Sequence, residues 1–137
     1  MIILDTNVLS ELLRPRPSAV VTRWVDAQPH PFITAITIQE CFYGIELLAS
    51  QFRGRELAAR LEVILDSVFS SRILPYSAIA ARHTAVVIAH RRRLGRPIST
   101  ADAQIAGIAL EHRATLATRN TRDFVGMRLD FANPWDE

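Results

Sequence analysis

The chain has 137 residues, of which 49% are apolar and 22% are charged. This length and composition predict a single globular domain over residues 1–137 and exclude an extensively disordered chain. No apolar run is long enough to cross a bilayer, and the first residues lack the basic leader of a signal peptide. We therefore expect a cytoplasmic protein. The single cysteine, Cys41, excludes an internal disulfide and a cysteine-based metal site.

The formal net charge is +2, and all 16 basic residues are arginine. An arginine bias suits phosphate binding, but it can equally reflect the base composition of a genome. The absence of lysine is more informative as an exclusion. A Walker A loop requires a lysine, and so do the phosphoryl-aspartate enzymes that place an aspartate after the first strand.

The pattern of apolar residues predicts five short strands that alternate with helices. Such an order is typical of an α/β fold with a mainly parallel sheet covered on both faces. The predicted strands are Ile2–Leu4, Phe32–Ile36, Arg72–Tyr76, Ala114–Thr118 and Arg128–Phe131. The predicted helices are Val8–Leu13, Ser18–Gln28, Thr37–Leu48, Glu56–Ser70, Ser77–Leu94 and Ser99 to about Arg113, with a turn at Gln51–Gly54.

Four carboxylates lie at or near junctions between these elements. Asp5 follows the first strand, Glu40 the second and Asp123 the fourth, while Asp102 opens the last long helix. Helices that follow parallel strands start at the same edge of a sheet, where ligand sites form. We therefore expect three of these acids at one rim, with Asp102 beside them only if its helix also starts there.

A structural explanation competes with this one. Asp5 or Asn7 could simply cap the following helix. Two other acids fit capping-box patterns, Thr37-x-x-Glu40 and Ser99-x-x-Asp102, and Asn120-x-x-Asp123 resembles one less closely. Capping alone would give these residues no reason to meet in space.

Carboxylates that do meet need a cation. Two unit charges about 5 Å apart repel by roughly 3 kcal/mol at an effective dielectric constant near 20. Oxygen ligands favour Mg²⁺ or Mn²⁺ over zinc, and such a cation can activate water and stabilise charge on a phosphodiester. The residues therefore predict metal-dependent nuclease chemistry.

The same segments resemble the PIN-domain ribonuclease toxins of the VapC family, and in particular their FitB-like branch. The resemblance extends over nearly the whole chain. It is carried by Ile3–Ser10, Ile38–Glu40, Ser99–Ala106, Leu116–Phe124 and the closing Asn133–Trp135.

The resemblance implies a three-layer α/β/α PIN-like fold and Mg²⁺-dependent cleavage of RNA, with Mn²⁺ able to substitute. It implies that Asp5, Glu40, Asp102 and Asp123 form the acidic cluster. Asp5 and Asp102 would be direct metal ligands, Glu40 would lie close by, and Asp123 would support a second, weaker metal position. The family often has an acid where this chain has Asn120.

The resemblance also implies partners. A homodimer is expected to assemble with an antitoxin of the VapB or FitA type, and this complex is expected to bind operator DNA. The expected substrates are structured RNAs such as transfer RNA.

Several further side chains could serve the site. Thr6, Asn7, Thr118 and Asn120 could orient the carboxylates. Arg119 and Arg122 flank the proposed site and could contact RNA phosphates. The arginine cluster at the end of the fifth helix is better explained as a solvated group that complements the helix dipole. Its members are Arg91, Arg92, Arg93 and Arg96.

Two alternatives remain open from the sequence. One is a phosphatase with Asp5 as nucleophile, which the missing second aspartate and the missing lysine disfavour. The other is a catalytically silent PIN-like module that only binds a partner or nucleic acid.

Overall fold

The computed structural model of the protein describes residues 1–136. Its strands are short and its helices long. The strands are β1 (Ile2–Leu4), β2 (Ile33–Thr34), β3 (Ile73–Leu74), β4 (Thr115–Ala117) and β5 (Phe131–Ala132). The helices are α1 (Thr6–Leu12), α2 (Ala19–Asp26), α3 (Ala35–Glu46), α4 (Gln51–Ser67), α5 (Ala78–Arg93) and α6 (Thr100–Glu111). A 3₁₀ turn, η1, spans Thr121–Phe124.

All strand pairs are parallel. β1 pairs with β4 and β4 with β5, while β2 pairs with β3. A bridge between Ile3 and Phe32 joins the two groups into one layer with the order β3-β2-β1-β4-β5. The chain thus places β1 at the centre, where the residue that follows it is surrounded by neighbouring strand ends.

Alternate residues of the central strands pack on opposite faces of the sheet, as the two-residue period of a strand requires. Ile3 and Leu116 belong to a core shared with α5 and α6. Leu4 and Ala117 belong to a second core shared with α1, α2, α3 and α4. The predicted three-layer α/β/α fold with a parallel sheet is confirmed. Within residues 1–136, no helix is long and apolar enough to cross a membrane.

Three element predictions were wrong, and a local interaction explains two of them. The predicted strand Phe32–Ile36 stops at Thr34, because the Thr34 hydroxyl accepts the Thr37 amide and starts α3 at Ala35. The predicted turn Gln51–Gly54 is helical because Ser50 caps α4 through the Arg53 amide. The last strand lies at Phe131–Ala132 instead of Arg128–Phe131, in register with Leu116 and Ala117.

Two positions require glycine, one because of its backbone conformation and the other because two helices pack closely there. Gly95 has φ +69°, the left-handed conformation predicted for the residue that ends α5. Gly107 lies on α6 where it crosses α5, and a β-carbon there would lie 2.5 Å from the Ala80 carbonyl oxygen and collide with the Thr84 hydroxyl. The two helices can approach this closely only because position 107 has no side chain.

We expect Gly107→Ala to lower the free energy of unfolding by about 2 to 3 kcal/mol, because the added methyl group must push α5 and α6 apart. Gly44→Ala is the matched control, since Gly44 lies in α3 with nothing within 4 Å of the new carbon. The control should raise the free energy of unfolding by about 0.5 to 1 kcal/mol. Urea denaturation measures both, and equal effects would contradict the packing argument.

Candidate active site

Asp5 is the most constrained acid of the chain. It follows β1 directly, and its amide donates to the Ala117 carbonyl oxygen at 2.9 Å, which continues the ladder with β4. Its side chain caps α1, with Oδ1 accepting the Thr6 amide at 2.7 Å. Only 2% of the residue is exposed. The capping explanation is therefore correct for Asp5, but it accounts for one carboxylate oxygen and not for the other.

The second oxygen of Asp5 is held by side chains from both strand ends. Oδ2 accepts the Thr118 hydroxyl at 2.7 Å and the Asn7 amide nitrogen at 3.3 Å. The Asn7 side-chain oxygen in turn accepts the Arg119 amide, and the Thr118 hydroxyl oxygen accepts the Asn120 amide. This network fixes the direction of the Asp5 carboxylate and connects it to the loop after β4.

Glu40 reaches the same place from α3. Its Oε1 accepts the Thr6 hydroxyl at 2.7 Å, and that hydroxyl also lies 3.0 Å from the Thr37 hydroxyl oxygen. The capping-box interpretation of Glu40 was wrong, because Thr34 rather than Thr37 caps α3 and Glu40 lies in the second turn. Its side chain is therefore free to bind Thr6 and to face the strand ends.

Asp102 lies in the first turn of α6. The Ser99 hydroxyl accepts its amide at 3.1 Å and caps the helix as predicted. Within the described residues, no hydrogen bond to the Asp102 carboxylate completes a capping box, so both of its oxygens remain available.

Asp5, Glu40 and Asp102 line one pocket of about 450 Å³. Helix α6 therefore starts at the rim where α1 and α3 carry the other two acids, which the spacing alone did not establish. The pocket also contains predicted residues Thr6, Asn7, Asn120 and Arg119. Thr118 lies beneath it, fully buried against Asp5.

Asp123 is placed differently. It lies in η1 and lines a neighbouring pocket with Arg122, which shares only Arg119 and Asn120 with the first one. Its Oδ1 lies 3.6 Å from a terminal nitrogen of Arg91. The prediction that Arg91 belongs to a solvated cluster was wrong, since its side chain is only 7% exposed. Arg92, Arg93 and Arg96 are exposed as expected.

Several residues of the main pocket were not predicted as site residues from the sequence. Arg14 and Glu11 line it from the end of α1, and Trp135 lines it from the chain end. The guanidinium carbon of Arg119 lies 5.0 Å from the centre of the Trp135 ring, a cation–π distance that holds the arginine over the pocket. No local pattern marks these residues, because they are brought together only by the tertiary fold.

Burial and neighbouring charge act together on Asp5. Its pKa is raised from 3.8 to about 6, first because burial disfavours the charged form and then because Asp102 and Glu40 add negative charge nearby. The hydrogen bonds from Thr118 and Thr6 act in the opposite direction. The pocket thus concentrates negative charge that a bound cation would relieve.

The donors in the pocket fit a hard divalent cation. They are carboxylate oxygens, of which Asp5 is 2% exposed and Glu11, which is paired with Arg14, is 9% exposed. Within residues 1–136, no group of three or more acidic, histidine or cysteine side chains is arranged so that it could hold a metal ion by itself. Mg²⁺ does not need such a group, since it is commonly held by one or two carboxylates with water and substrate phosphate completing its shell.

Comparison with known proteins shows which family the chain resembles. The model of the PIN-domain family matches residues 2–127. The chain is 37% identical over 139 residues to toxin FitB of Neisseria gonorrhoeae, with 100% of both chains covered. It is 36% identical over 138 residues to the VapC ribonuclease Y4jK of Sinorhizobium fredii, with 99% of both chains covered.

Solved structures show the same relationship. The crystal structure of FitAcB from Neisseria gonorrhoeae matches with a TM-score of 0.90 and 37% identity over 100% of both chains. The structure of FitAB bound to an IR36 DNA fragment matches with a TM-score of 0.87 and 36% identity, covering 98% of this chain and 96% of that one. The chain therefore belongs to the PIN-domain family, within its branch of FitB and VapC ribonuclease toxins.

Proposed function

We propose that the protein is a Mg²⁺- or Mn²⁺-dependent endoribonuclease and the toxin of a toxin–antitoxin pair. One observation carries this proposal: three carboxylates from separate elements, Asp5, Glu40 and Asp102, line one pocket at the strand ends. Fixed negative charge of this density is unfavourable unless a cation balances it. Membership of a family that includes a VapC ribonuclease supports RNA as the substrate.

The contacts of each acidic side chain suggest its role in the proposed reaction. Asp5 and Asp102 would hold the cation, the first with its direction fixed by Thr118 and the second with both oxygens available. Glu40, oriented by Thr6, would accept a hydrogen bond from water beside them. A divalent cation bound there supplies water activation and stabilises the charge that develops on the phosphodiester.

Arginine at the rim would position the substrate. The Arg119 guanidinium, stacked on Trp135, lies beside the carboxylates and is suited to pair with a phosphate oxygen. Arg122 lies one pocket further along and would contact a neighbouring phosphate. Positive charge at these places would offset the repulsion between the acidic pocket and the RNA backbone.

The partner is proposed from the relatives. FitAB has been solved bound to a DNA fragment, and we infer that this chain likewise assembles with a FitA- or VapB-type antitoxin on operator DNA. A groove between α1, α3 and α4 supports this, because it shares Ser10, Arg14 and Glu40 with the acidic pocket. A homodimer remains a prediction from the family resemblance.

The other two functions have less support. A phosphatase with Asp5 as nucleophile would need a second aspartate two residues further on and a lysine, but residue 7 is asparagine and the chain contains no lysine. A silent binding module would have no need for the charge concentrated at the pocket.

RNA cleavage tests the proposal directly. We expect Asp5→Asn and Asp102→Asn each to lower the rate of transfer RNA cleavage by more than about 100-fold, since each removes a metal ligand. The control is Asp66→Asn, an exposed acid on α4, which should cleave like the wild type. Excess EDTA should abolish wild-type cleavage and added Mn²⁺ should restore it. Cleavage that persists in EDTA would refute the metal-dependent mechanism.

The hydrogen bond from Thr118 to Asp5 gives a second test. Thr118→Val keeps the shape of the side chain but removes the donor, so the Asp5 carboxylate loses its orientation and is harder to ionise. We expect cleavage to fall by about 10- to 100-fold, whereas Thr118→Ser, which retains the hydroxyl, should remain near the wild type. A loss in Thr118→Ser with Thr118→Val near the wild type would show that the methyl group, and not the hydroxyl, is required.

The raised pKa of Asp5 predicts how stability depends on pH without metal. The folded chain holds this proton more tightly than the unfolded chain, so the stabilisation is complete below about pH 4 and is lost as the pH rises through about 6. Between pH 5 and 7.5 in EDTA, the wild type should lose roughly 1 to 2 kcal/mol relative to Asp5→Asn. Urea denaturation of both proteins measures this difference, and parallel pH profiles would contradict it.

A further inference from the structure

Arg91 is an unusual residue for the end of a surface helix. Its side chain is 7% exposed, and its Nε is buried without a hydrogen-bond partner within the described part of the chain. Arginine cannot lose its proton in a protein, so this position carries a permanent buried charge. Such a charge requires a counter-ion.

Asp123 is the ion-pair partner that residues 1–136 provide. Its Oδ1 lies 3.6 Å from the Arg91 guanidinium, and its own side chain is 36% exposed. The pair is therefore asymmetric, because the cation is enclosed and the anion is partly hydrated. Loss of the anion would leave a buried charge unbalanced, whereas loss of the cation would leave a carboxylate that water can solvate.

Asp123 lies in a different pocket from the other three predicted acids. Asp5, Glu40 and Asp102 share a pocket in which Asp123 has no part. The charges that act on Asp5 are those of Asp102 and Glu40. Geometry thus divides the four predicted acids into a group of three at the strand ends and one that faces Arg91.

We propose that Arg91 is the counter-ion of Asp123 and withholds this fourth carboxylate from the cation site, so that each chain binds one divalent cation. This inference deepens the proposed function, on which its second half rests. Arg91 acts here as a positioning residue. Asp123 could turn towards a second metal ion only by leaving Arg91 buried and unpaired.

The first arm of the test uses protein without metal. We expect Asp123→Asn to lower the melting temperature in EDTA by roughly 5 to 10 °C, because it strands the buried cation. Arg91→Met should change it by less than about 3 °C, and Arg91→Met/Asp123→Asn should recover most of the loss. Asp102→Asn is the matched control, since it removes a rim carboxylate with no cationic partner and should leave the melting temperature unchanged or raised.

If Asp123 instead belonged to the acidic cluster, Asp123→Asn would not lower the melting temperature in EDTA. The substitution would then relieve repulsion and leave the melting temperature unchanged or raised, as expected for Asp102→Asn. That result would overturn the pairing. If Asp123→Asn does not fold, recovery of folding in the double variant supports the pairing, and failure to recover overturns it.

The second arm counts bound Mn²⁺ by electron paramagnetic resonance titration. We expect one Mn²⁺ per chain in the wild type and in Asp123→Asn. Arg91→Met frees Asp123 and should bind a second, whereas Arg91→Lys keeps a cation and should bind one. Two Mn²⁺ in the wild type and one in Asp123→Asn would overturn the proposal, and so would a single Mn²⁺ in Arg91→Met.

The two arms separate the inference from the function beneath it. If the wild type binds no Mn²⁺, the metal-dependent function is refuted. The proposal that Arg91 keeps Asp123 away from a cation site is then refuted as well. The melting temperatures in EDTA still decide whether Arg91 and Asp123 depend on each other, because that arm contains neither metal nor RNA.

Discussion

The site depends on holding an ionisable carboxylate at the end of the central strand, almost fully enclosed. Burial disfavours the charged form of Asp5, whereas the Thr118 hydroxyl and the Thr6 amide stabilise it. These donors come from the end of β4 and the start of α1, which meet because β1 and β4 are paired in register from Ile2 to Leu4. The sheet therefore determines where the Asp5 carboxylate lies and how strongly its ionised form is disfavoured without a cation. Asp102 and Glu40 add negative charge near Asp5, and the Asn7 side chain helps to orient its carboxylate.

The charged side chains of the site form two groups, one of acids and one of arginines. Asp102 and Glu40 make Asp5 harder to ionise, so the three acids together favour a cation. The loop after β4 contributes Arg119 and Arg122, and the end of α5 contributes Arg91, which faces Asp123. A net charge of only +2 conceals this separation. In the proposed nuclease, Arg119 and Arg122 would offset the repulsion between the acidic pocket and the RNA backbone.

Much of this could be predicted from the sequence because the informative features are local. The alternation of apolar strands and helices determines the α/β class, and the acids stand at element junctions whose location follows from chain order. Element ends were less predictable, since a hydroxyl of Thr34 or Ser50 can move a helix start past residues that favour a strand or a turn. Arg14, Trp135 and Arg91 could not be found from local patterns. Arg14 pairs with Glu11 only three residues away, but nothing in that pairing shows that both line the pocket. Trp135 and Arg91 contact Arg119 and Asp123, which lie far from them in the chain, and an arginine at a helix end looks the same whether buried or solvated.

The separation of Asp123 from the other acids shows why a motif does not determine a site. All four carboxylates occupy similar places in the sequence, each beside a strand or opening a helix. Three of them face one pocket because α1, α3 and α6 begin at the same rim, where a carboxylate in the first or second turn points past the strand ends. The segment after β4 forms a short 3₁₀ turn instead of a long helix, and this turn directs Asp123 towards α5. Acidic side chains at similar places in the sequence thus face different surroundings, a pocket lined by three carboxylates and a fixed guanidinium that pairs with the fourth.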